Sequence, residues 1–198
     1  AAALEIVLDR GLPVALYQLP QVTGNETAPE TFARLVARYP NLILFKDSSG
    51  ADRIALSGAD AGGVFLVRGA EGDYARWLRP GGGAYDGFLL STANSFPAGL
   101  LGVVNGIREG RLDDAARISA ALSGAVAEVF ALVGEIPCGN VFTNANKAIE
   151  HFMAFGPQAA GREGPMLHGG IRIPAGIIAA TGESLRRHGL MPAKGYLE

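Results

Sequence analysis

Four short apolar runs in the first half of the chain limit the folds available to this sequence more than any other feature. The runs span residues 14–17, 42–45, 64–67 and 87–91, and segments with helical patterns lie between them at 29–38, 52–57 and 71–78. Strands that are apolar along their whole length are typical of parallel sheets with both faces covered. Repeated strand–helix units of this kind predict an α/β protein, either a barrel or a doubly wound sheet.

The second half of the chain carries helical patterns without strand signals. Predicted helices cover residues 98–109, 112–134, 139–154 and 175–189, and a loop covers 161–174. We therefore expect a strand–helix region at 1–96 and a helical region at 97–198. The opening residues have the pattern of a helix end, with Gly11 just past the last turn. Because the sequence also starts with Ala1 instead of methionine, we expect that earlier residues are missing.

The composition favours a soluble protein that acts on small molecules. Of the 198 residues, 48% are hydrophobic and 18% are charged, and the formal net charge is -2. Lys and Arg are scattered along the chain, so we expect no surface for nucleic acid or for an acidic membrane. No apolar stretch reaches the roughly 18 residues of a membrane span, and no signal peptide is recognisable. The predicted location is the cytoplasm.

Cysteine and histidine give no sign of a disulfide or a metal site. Cys138 is the single cysteine, and His151, His168 and His188 are far apart in the sequence. No spacing of these residues resembles the ligand set of a zinc site. We therefore predict chemistry without a bound metal.

Lys46 is the first candidate for chemistry. It follows the apolar run 42–45 and precedes the polar turn Asp47-Ser48-Ser49-Gly50, so a strand delivers one amine into a polar loop. Partial burial at such a place disfavours the ammonium and leaves more of the neutral amine to attack a carbonyl. The plainer interpretation is that the side chain reaches water or pairs with Asp47.

Polar residues also follow the other predicted strands. Tyr17, Lys46, Glu71 and Ser91 lie at or just beyond four successive strand ends, and the intervals between them are 29, 25 and 20 residues. Alternate residues of a strand share a face, which places Lys46 with Leu42 and with Leu44. An α/β barrel builds its active site from the carboxyl ends of its strands, so these side chains are predicted to meet there.

Several motifs, taken in order, resemble one protein family. They are Leu16-Tyr17-Gln18-Leu19-Pro20 with Thr23-Gly24, Pro29-Glu30-Thr31, Pro40-Asn41, Phe45-Lys46-Asp47-Ser48-Ser49-Gly50, and the run from Gly87 to Asn94. The set is similar to the second half of the dihydrodipicolinate synthase/N-acetylneuraminate lyase family. The resemblance continues through the terminal helices and covers nearly the whole chain.

The resemblance implies a (β/α)8 TIM barrel, of which this chain is the second half, with about four βα units and a C-terminal helical appendage. It implies a class I, Schiff-base aldolase or lyase acting on pyruvate or a 2-keto-3-deoxy sugar acid. Lys46 is then the nucleophile and Tyr17 the proton shuttle, with no cofactor besides the covalent imine on Lys46. Family members are usually homotetramers, so we expect a homo-oligomer, a tetramer or a dimer. Without the resemblance, Tyr17 would be interpreted as a core aromatic.

Four further positions match substrate-binding places of the family: Ser48, Gly69, Glu71 and Ser91. Each has a structural alternative. Glu71 could be a carboxylate that interacts favourably with a helix N-terminus. Ser48 and Ser91 could be turn or cap residues. Lys147, on a terminal helix, is interpreted as structural.

Two departures from the family pattern affect the predicted substrate and the predicted length. Val22 stands where dihydrodipicolinate synthases have an arginine that grips a substrate carboxylate, and valine offers no charge or fork. We therefore rank condensation of the dihydrodipicolinate synthase type below an aldolase or dehydratase acting on a longer sugar acid. The first four barrel strands have no counterpart, and four units leave sheet edges and an apolar interior open. We expect a longer natural chain to supply them.

Functions from other classes fit less well. A non-catalytic binder of 2-oxo acids, or an inactive subunit, would not need both Tyr17 and Lys46. The run Gly81-Gly82-Gly83 is not followed by the Lys-Ser/Thr of a phosphate-binding loop and precedes a strand. No Gly-x-Ser-x-Gly elbow of a serine hydrolase is present.

Overall fold

The computed structural model of the chain describes residues 2–198. Contacts between residues divide it into two units. We call the first the sheet unit, which ends at Ala70 and includes Arg76–Leu90, and the second the helical unit, which comprises Glu71–Ala75 and Ser91–Glu198.

The sheet unit is built on four parallel strands. They are β1 (Val14–Gln18), β2 (Leu42–Asp47), β3 (Phe65–Arg68) and β4 (Gly87–Phe88), and they lie side by side in chain order. Helices α1 (Ala2–Leu8), α2 (Pro20–Thr23), α3 (Pro29–Arg38), α4 (Arg53–Leu56) and α5 (Tyr74–Trp77) occupy the first half of the chain. The predicted α/β fold with consecutive parallel strands is confirmed.

Helix α3 covers one face of this sheet. Pro29 is at its first position, where a missing N–H costs nothing, and Phe32 and Leu35 are fully buried. The Phe32 ring meets the Phe45 ring of β2 edge to face, with centroids 5.1 Å apart. This core continues through Leu42 and other apolar residues of the same unit.

The other face of the sheet is partly open. Tyr17 is 55% exposed and Phe65 50% exposed, and strand register places them on the face that carries Lys46. The predicted covering of both faces is therefore wrong for this chain. The open apolar face agrees with the expectation that four strand–helix units leave a barrel interior uncovered.

A register shift in β2 corrects one predicted neighbour of Lys46. Val14 pairs with Leu42 but Ala15 pairs with Leu44, so Ile43 is an extra residue in β2. Such a bulge breaks the alternation of faces. Leu42 accordingly lies in the core cluster with Phe45 and not on the face of Lys46, whereas Leu44 keeps the predicted position.

The helical unit contains four long helices. They are α6 (Pro97–Arg108), α7 (Leu112–Val133), α8 (Val141–Phe155) and α9 (Ala175–Arg187), each within two residues of its predicted bounds. Asn140 caps α8, because its Oδ1 accepts a hydrogen bond from the backbone N–H of Thr143 (2.8 Å). Short 3-10 turns occur at Arg79–Gly81, Ser91–Asn94 and Gly156–Gly161.

Helix α7 is long and apolar enough to cross a membrane by length and composition alone. The expectation that no segment reaches this length is therefore wrong. The charged residues Arg117 and Glu128 divide the apolar sequence into shorter runs. The mean hydropathy of the helix nevertheless stays high enough to meet the criterion. The helix packs against α6, α8 and α9, and it buries residues such as Leu122 and Val129. A core helix of a helical unit meets the same criterion.

A polar cluster joins α7 to α9 and makes stability depend on pH. Glu128 accepts hydrogen bonds from Arg187 Nη2 (2.7 Å), Ser184 Oγ (2.5 Å) and the His188 ring (3.2 Å). These bonds, that from Arg187 first, lower the pKa of Glu128 to about 2. Because the folded pKa lies below the unfolded value of about 4.3, the stabilisation is complete above pH ~4.3 and is lost as pH falls towards 2.

We expect Glu128→Gln to lower the free energy of unfolding at pH 7, and the gap to the unsubstituted protein to narrow as pH falls from about 4.3 towards 2. Urea denaturation at several pH values measures this gap. Glu183→Gln on the exposed side of α9 serves as the control. A gap that stays constant through the acid range would contradict the prediction.

Candidate active site

Tyr17 and Lys46 are direct neighbours across β1 and β2. The two residues are register partners, so their side chains leave the sheet on the same face. The Lys46 Nζ atom lies 4.2 Å from the centroid of the Tyr17 ring, which is within cation–π distance. The strands thus bring together the two residues predicted to carry the chemistry.

The amine of Lys46 has no carboxylate partner in the sheet unit. Asp47, the alternative partner, points to the other face of β2 and is 1% exposed. Its Oδ1 accepts a hydrogen bond from the Ser49 backbone N–H (2.8 Å), and its Oδ2 lies 3.4 Å from the Tyr85 hydroxyl. The pairing of Lys46 with Asp47 that the sequence left open is not formed.

Ser48 and Gly69 line the stem of Lys46. A methyl group on Gly69 would collide with Ser48 Oγ and would come within 2.6 Å of Lys46 Cε. Only glycine therefore leaves room for this lysine rotamer. The Ser48 hydroxyl is buried and makes no hydrogen bond with any residue in the described part of the chain. A buried hydroxyl without a partner beside the amine is available to a ligand or to water.

Behind β2, four buried polar residues form a cluster that the sequence analysis did not identify. Arg68 bonds to Asp52 at two points, Nε to Oδ1 (2.9 Å) and Nη2 to Oδ2 (3.0 Å). The Tyr85 hydroxyl donates to Asp52 Oδ1 (2.7 Å) and approaches Asp47. Burial, together with the hydrogen bond to Asp52 and the charge of Asp47, raises the pKa of Tyr85. The tyrosine thus remains a donor.

Glu71 and Ser91 meet in the helical unit. Glu71 Oε1 accepts hydrogen bonds from Ser91 Oγ (2.8 Å) and from Thr92 N (3.1 Å). Its Oε2 accepts from Thr92 Oγ1 (2.6 Å) and from the Tyr74 hydroxyl (2.9 Å). Burial and the charge of Glu71 raise the pKa of Tyr74. The carboxylate bonds to the 3-10 turn Ser91–Asn94. The strand predicted at 87–91 is shorter than expected and ends at Phe88.

We expect Glu71→Ala to lower the free energy of unfolding by about 2 kcal/mol, because several donors would lose a charged acceptor. Urea denaturation measures the loss, and Glu183→Ala is the control for an exposed acid.

Glu71→Ala also tests substrate contact. Selective weakening of the binding of a polyhydroxylated substrate, relative to pyruvate, would support the predicted binding role of Glu71. An unchanged free energy of unfolding in Glu71→Ala would contradict the structural role of Glu71.

A cavity of about 310 Å³ lies beside this turn in the helical unit. It is lined by Ser91, Asn94, Phe142, Thr143, Asn146, Lys147 and Glu150. The Lys147 amine donates to the Met166 carbonyl (2.6 Å), in agreement with a structural role. Among residues 2–198, no group of three or more His, Cys, Asp and Glu side chains is placed to hold a metal ion.

The predicted site residues thus fall into two groups. Tyr17, Lys46, Ser48 and Gly69 lie together at the carboxyl ends of β1, β2 and β3 in the sheet unit. The other two, Glu71 and Ser91, lie together in the helical unit. The first group places an amine, a phenol and a hydroxyl at the same edge of the sheet.

Curated sequence relatives match part of this chain. A 4-hydroxy-tetrahydrodipicolinate synthase from Xanthomonas axonopodis pv. citri is 33% identical over 121 residues, which is 61% of this chain and 39% of the relative. The synthase from Persephonella marina is 30% identical over 118 residues, 57% of this chain and 38% of the relative. The chain therefore matches less than half of the length of these relatives.

Solved structures show the same fold. A dihydrodipicolinate synthase from Bacteroides thetaiotaomicron superposes with a TM-score of 0.66 at 19% identity, covering 91% of this chain and 60% of that one. A prophage protein of the dihydrodipicolinic acid synthase family from E. coli K12, solved in complex with pyruvate, gives a TM-score of 0.63 at 19% identity, covering 94% and 60%. At these identities the likeness concerns the fold alone.

The sequence model of the Dihydrodipicolinate synthetase family matches residues 3–138. This segment includes all four strands and the group around Lys46. The chain belongs to the dihydrodipicolinate synthetase family.

Proposed function

We propose that Lys46 forms an imine with the ketone of a 2-oxo acid and that Tyr17 carries protons to and from the reacting centre. The surroundings of the Lys46 amine give the main support for this proposal. The amine lies 4.2 Å from the Tyr17 ring, without a carboxylate partner in its unit and beside the unpaired hydroxyl of Ser48. An amine that is not tied into an ion pair can act as a nucleophile once it has lost its proton.

The chemistry follows from the groups at the site. The neutral amine attacks the ketone carbon, and the ketone oxygen takes a proton and becomes the hydroxyl of a carbinolamine. Loss of water gives an iminium ion, whose positive nitrogen accepts the electron pair released when a carbon–carbon bond or a C3–H bond breaks. The Tyr17 phenol supplies and accepts these protons when its hydroxyl comes within hydrogen-bond reach of the reacting atoms. Each step is served by Lys46, Tyr17 and water.

The family relationship supports a substrate of the pyruvate class. The relatives described above are named as 4-hydroxy-tetrahydrodipicolinate synthases, and the E. coli family member was solved with pyruvate. Both facts concern those proteins, and for this chain they support a small 2-oxo acid. We include a homo-oligomer in the proposal, although one structural neighbour is described as a monomeric variant.

Val22 favours a sugar acid over the synthase-type condensation. Its side chain is 72% exposed on α2, where a guanidinium would be needed to grip a second carboxylate. Within the pyruvate class, we therefore propose cleavage or dehydration of a 2-keto-3-deoxy sugar acid. Ser48 and Gly69 in the sheet unit remain proposed substrate contacts. The predicted substrate contacts of Glu71 and Ser91, in the helical unit, stay predictions.

Borohydride reduction followed by intact-mass spectrometry tests this proposal. The protein is incubated with pyruvate or with a 2-keto-3-deoxy sugar acid, and borohydride reduces any imine to a stable secondary amine. We expect one adduct per chain with either compound. The sugar acid should reach half of the maximum labelling at a lower concentration than pyruvate. Absence of any adduct would overturn the proposal and favour a non-covalent binder. Tighter trapping of pyruvate alone would overturn the sugar-acid assignment.

A further inference from the structure

The buried cluster of Asp47, Asp52, Arg68 and Tyr85 lies behind the strand that carries Lys46. We propose that this cluster positions the Lys46 amine, so that its members act on the rate of imine formation through β2 without touching the substrate. The proposal rests on the imine chemistry proposed above, and it concerns residues on the face of the sheet opposite to the substrate.

The cluster buries several charged groups together. Asp47 and Asp52 are each 1% exposed and Arg68 is 5% exposed, and the Arg68 guanidinium also lies 4.2 Å from the ring of Trp77. Burying such charges is costly even when they are paired, and apolar residues of similar volume often give equal or greater stability. A cluster of this kind is poorly explained by stability alone, so a positional role is the better explanation.

The cluster is connected to the amine through β2 and β3. Asp47 follows Lys46 in β2 and is the register partner of Arg68 in β3. The Gly69 backbone N–H donates to the Asp47 carbonyl (2.6 Å), and Arg68 Nη1 donates to the Ala70 carbonyl (2.8 Å). The backbone bond and the Arg68 side chain thus act on the two chain segments, 46–48 and 68–70, whose other faces surround the lysine stem.

Asp52 has an unusual backbone conformation. Its backbone has a φ of 54°, in the left-handed region that few residues other than glycine adopt. It stands where the side chain could cap α4, but it makes no cap hydrogen bond and pairs with Arg68 and Tyr85 instead. The carboxylate of Asp52 therefore lies behind β2 at the cost of an uncommon backbone conformation and of the side-chain cap of α4.

Tyr85→Phe is the most informative substitution, because it removes one hydroxyl and leaves the ring in place. We expect the rate of imine trapping at saturating pyruvate to fall about tenfold, since small displacements of a reacting group are costly. The half-saturating pyruvate concentration should change less than about twofold, because no contact with substrate is lost. Arg68→Lys, which keeps the charge and loses the two-point bond, should behave in the same way.

Val64→Ala is the control for a general loss of stability. Val64 is buried just before β3, at the end of the sheet away from Lys46, and its truncation should destabilise the protein at least as much as Tyr85→Phe. Its trapping rate should equal that of the unsubstituted protein. The proposal is overturned if Tyr85→Phe traps pyruvate at the normal rate, or if trapping rates follow stability across all three variants.

A second measurement separates this proposal from the proposed function. Reductive methylation with formaldehyde and cyanoborohydride labels any accessible amine without a 2-oxo acid, and Lys147 and Lys194 are the internal controls. We expect Tyr85→Phe to change the labelling rate of Lys46 by about threefold or more, with both controls unchanged. Equal labelling of Lys46 in the two proteins would overturn the positioning role. Absence of pyruvate trapping in the unsubstituted protein would count against the imine chemistry only.

Discussion

Replacing Lys46 with alanine should abolish the exchange of pyruvate methyl protons with deuterium, a reaction that requires an enamine. We expect the exchange rate to fall at least about a thousandfold, because no other side chain can replace an amine nucleophile. Loss of the methyl signal in proton NMR spectra in heavy water measures this rate. The assay needs no knowledge of the second substrate, so it applies to cleavage, condensation and dehydration alike.

Two controls accompany this substitution. Lys46→Arg keeps the positive charge near Tyr17 but removes the nucleophile, and it should be as inactive as the alanine variant. Lys194→Ala removes an exposed lysine and should exchange protons at the normal rate. Residual exchange by Lys46→Arg close to the normal rate would show that the charge, and not the amine, is what the reaction needs.

Replacing Gly69 with alanine should block the site by the addition of a single methyl group. That group would collide with Ser48 Oγ and would lie 2.6 Å from Lys46 Cε, so the lysine must leave its rotamer. We expect proton exchange to fall about a hundredfold and the free energy of unfolding to fall by about 1–3 kcal/mol. Proton exchange and urea denaturation on the same preparation separate the two effects.

Gly63→Ala is the matched control for this glycine. It lies in the same unit, and no atom is within 4 Å of its added methyl group. We expect normal exchange and nearly unchanged stability. If Gly69→Ala also exchanged protons at the normal rate, the packing of glycine against the lysine stem would have no bearing on the chemistry.

The sequence predicts the sheet-unit group well because short-range rules determine it. Tyr17 and Lys46 each lie one residue before the end of consecutive strands, and parallel pairing of these strands makes them neighbours. The prediction that Leu42 shares the face of Lys46 was wrong for a local reason that the sequence does not reveal. The bulge at Ile43 shifts the register by one residue and moves Leu42 into the core.

The cluster behind β2 lay beyond sequence reasoning because it depends on long-range pairs. Arg68 bonds to a carboxylate 16 residues before it, and Tyr85 bonds to the same carboxylate across 33 residues. Asp52 stands where a helix cap is expected in the sequence, so its pairing with Arg68 and Tyr85 could not be predicted. The only signal was the presence of Arg68 directly after an apolar strand. A charged residue at such a place predicts a buried partner without naming it.

Peptide mapping of the borohydride-reduced adduct tests the central claim most directly. Trypsin cleaves after Arg38, Lys46 and Arg53, and a modified Lys46 resists cleavage. We expect pyruvate and borohydride to yield one new peptide covering residues 39–53, with its added mass on Lys46, while Lys147 and Lys194 remain unmodified. Modification spread over all three lysines, or confined to either of the other two, would contradict Lys46 as the imine-forming residue.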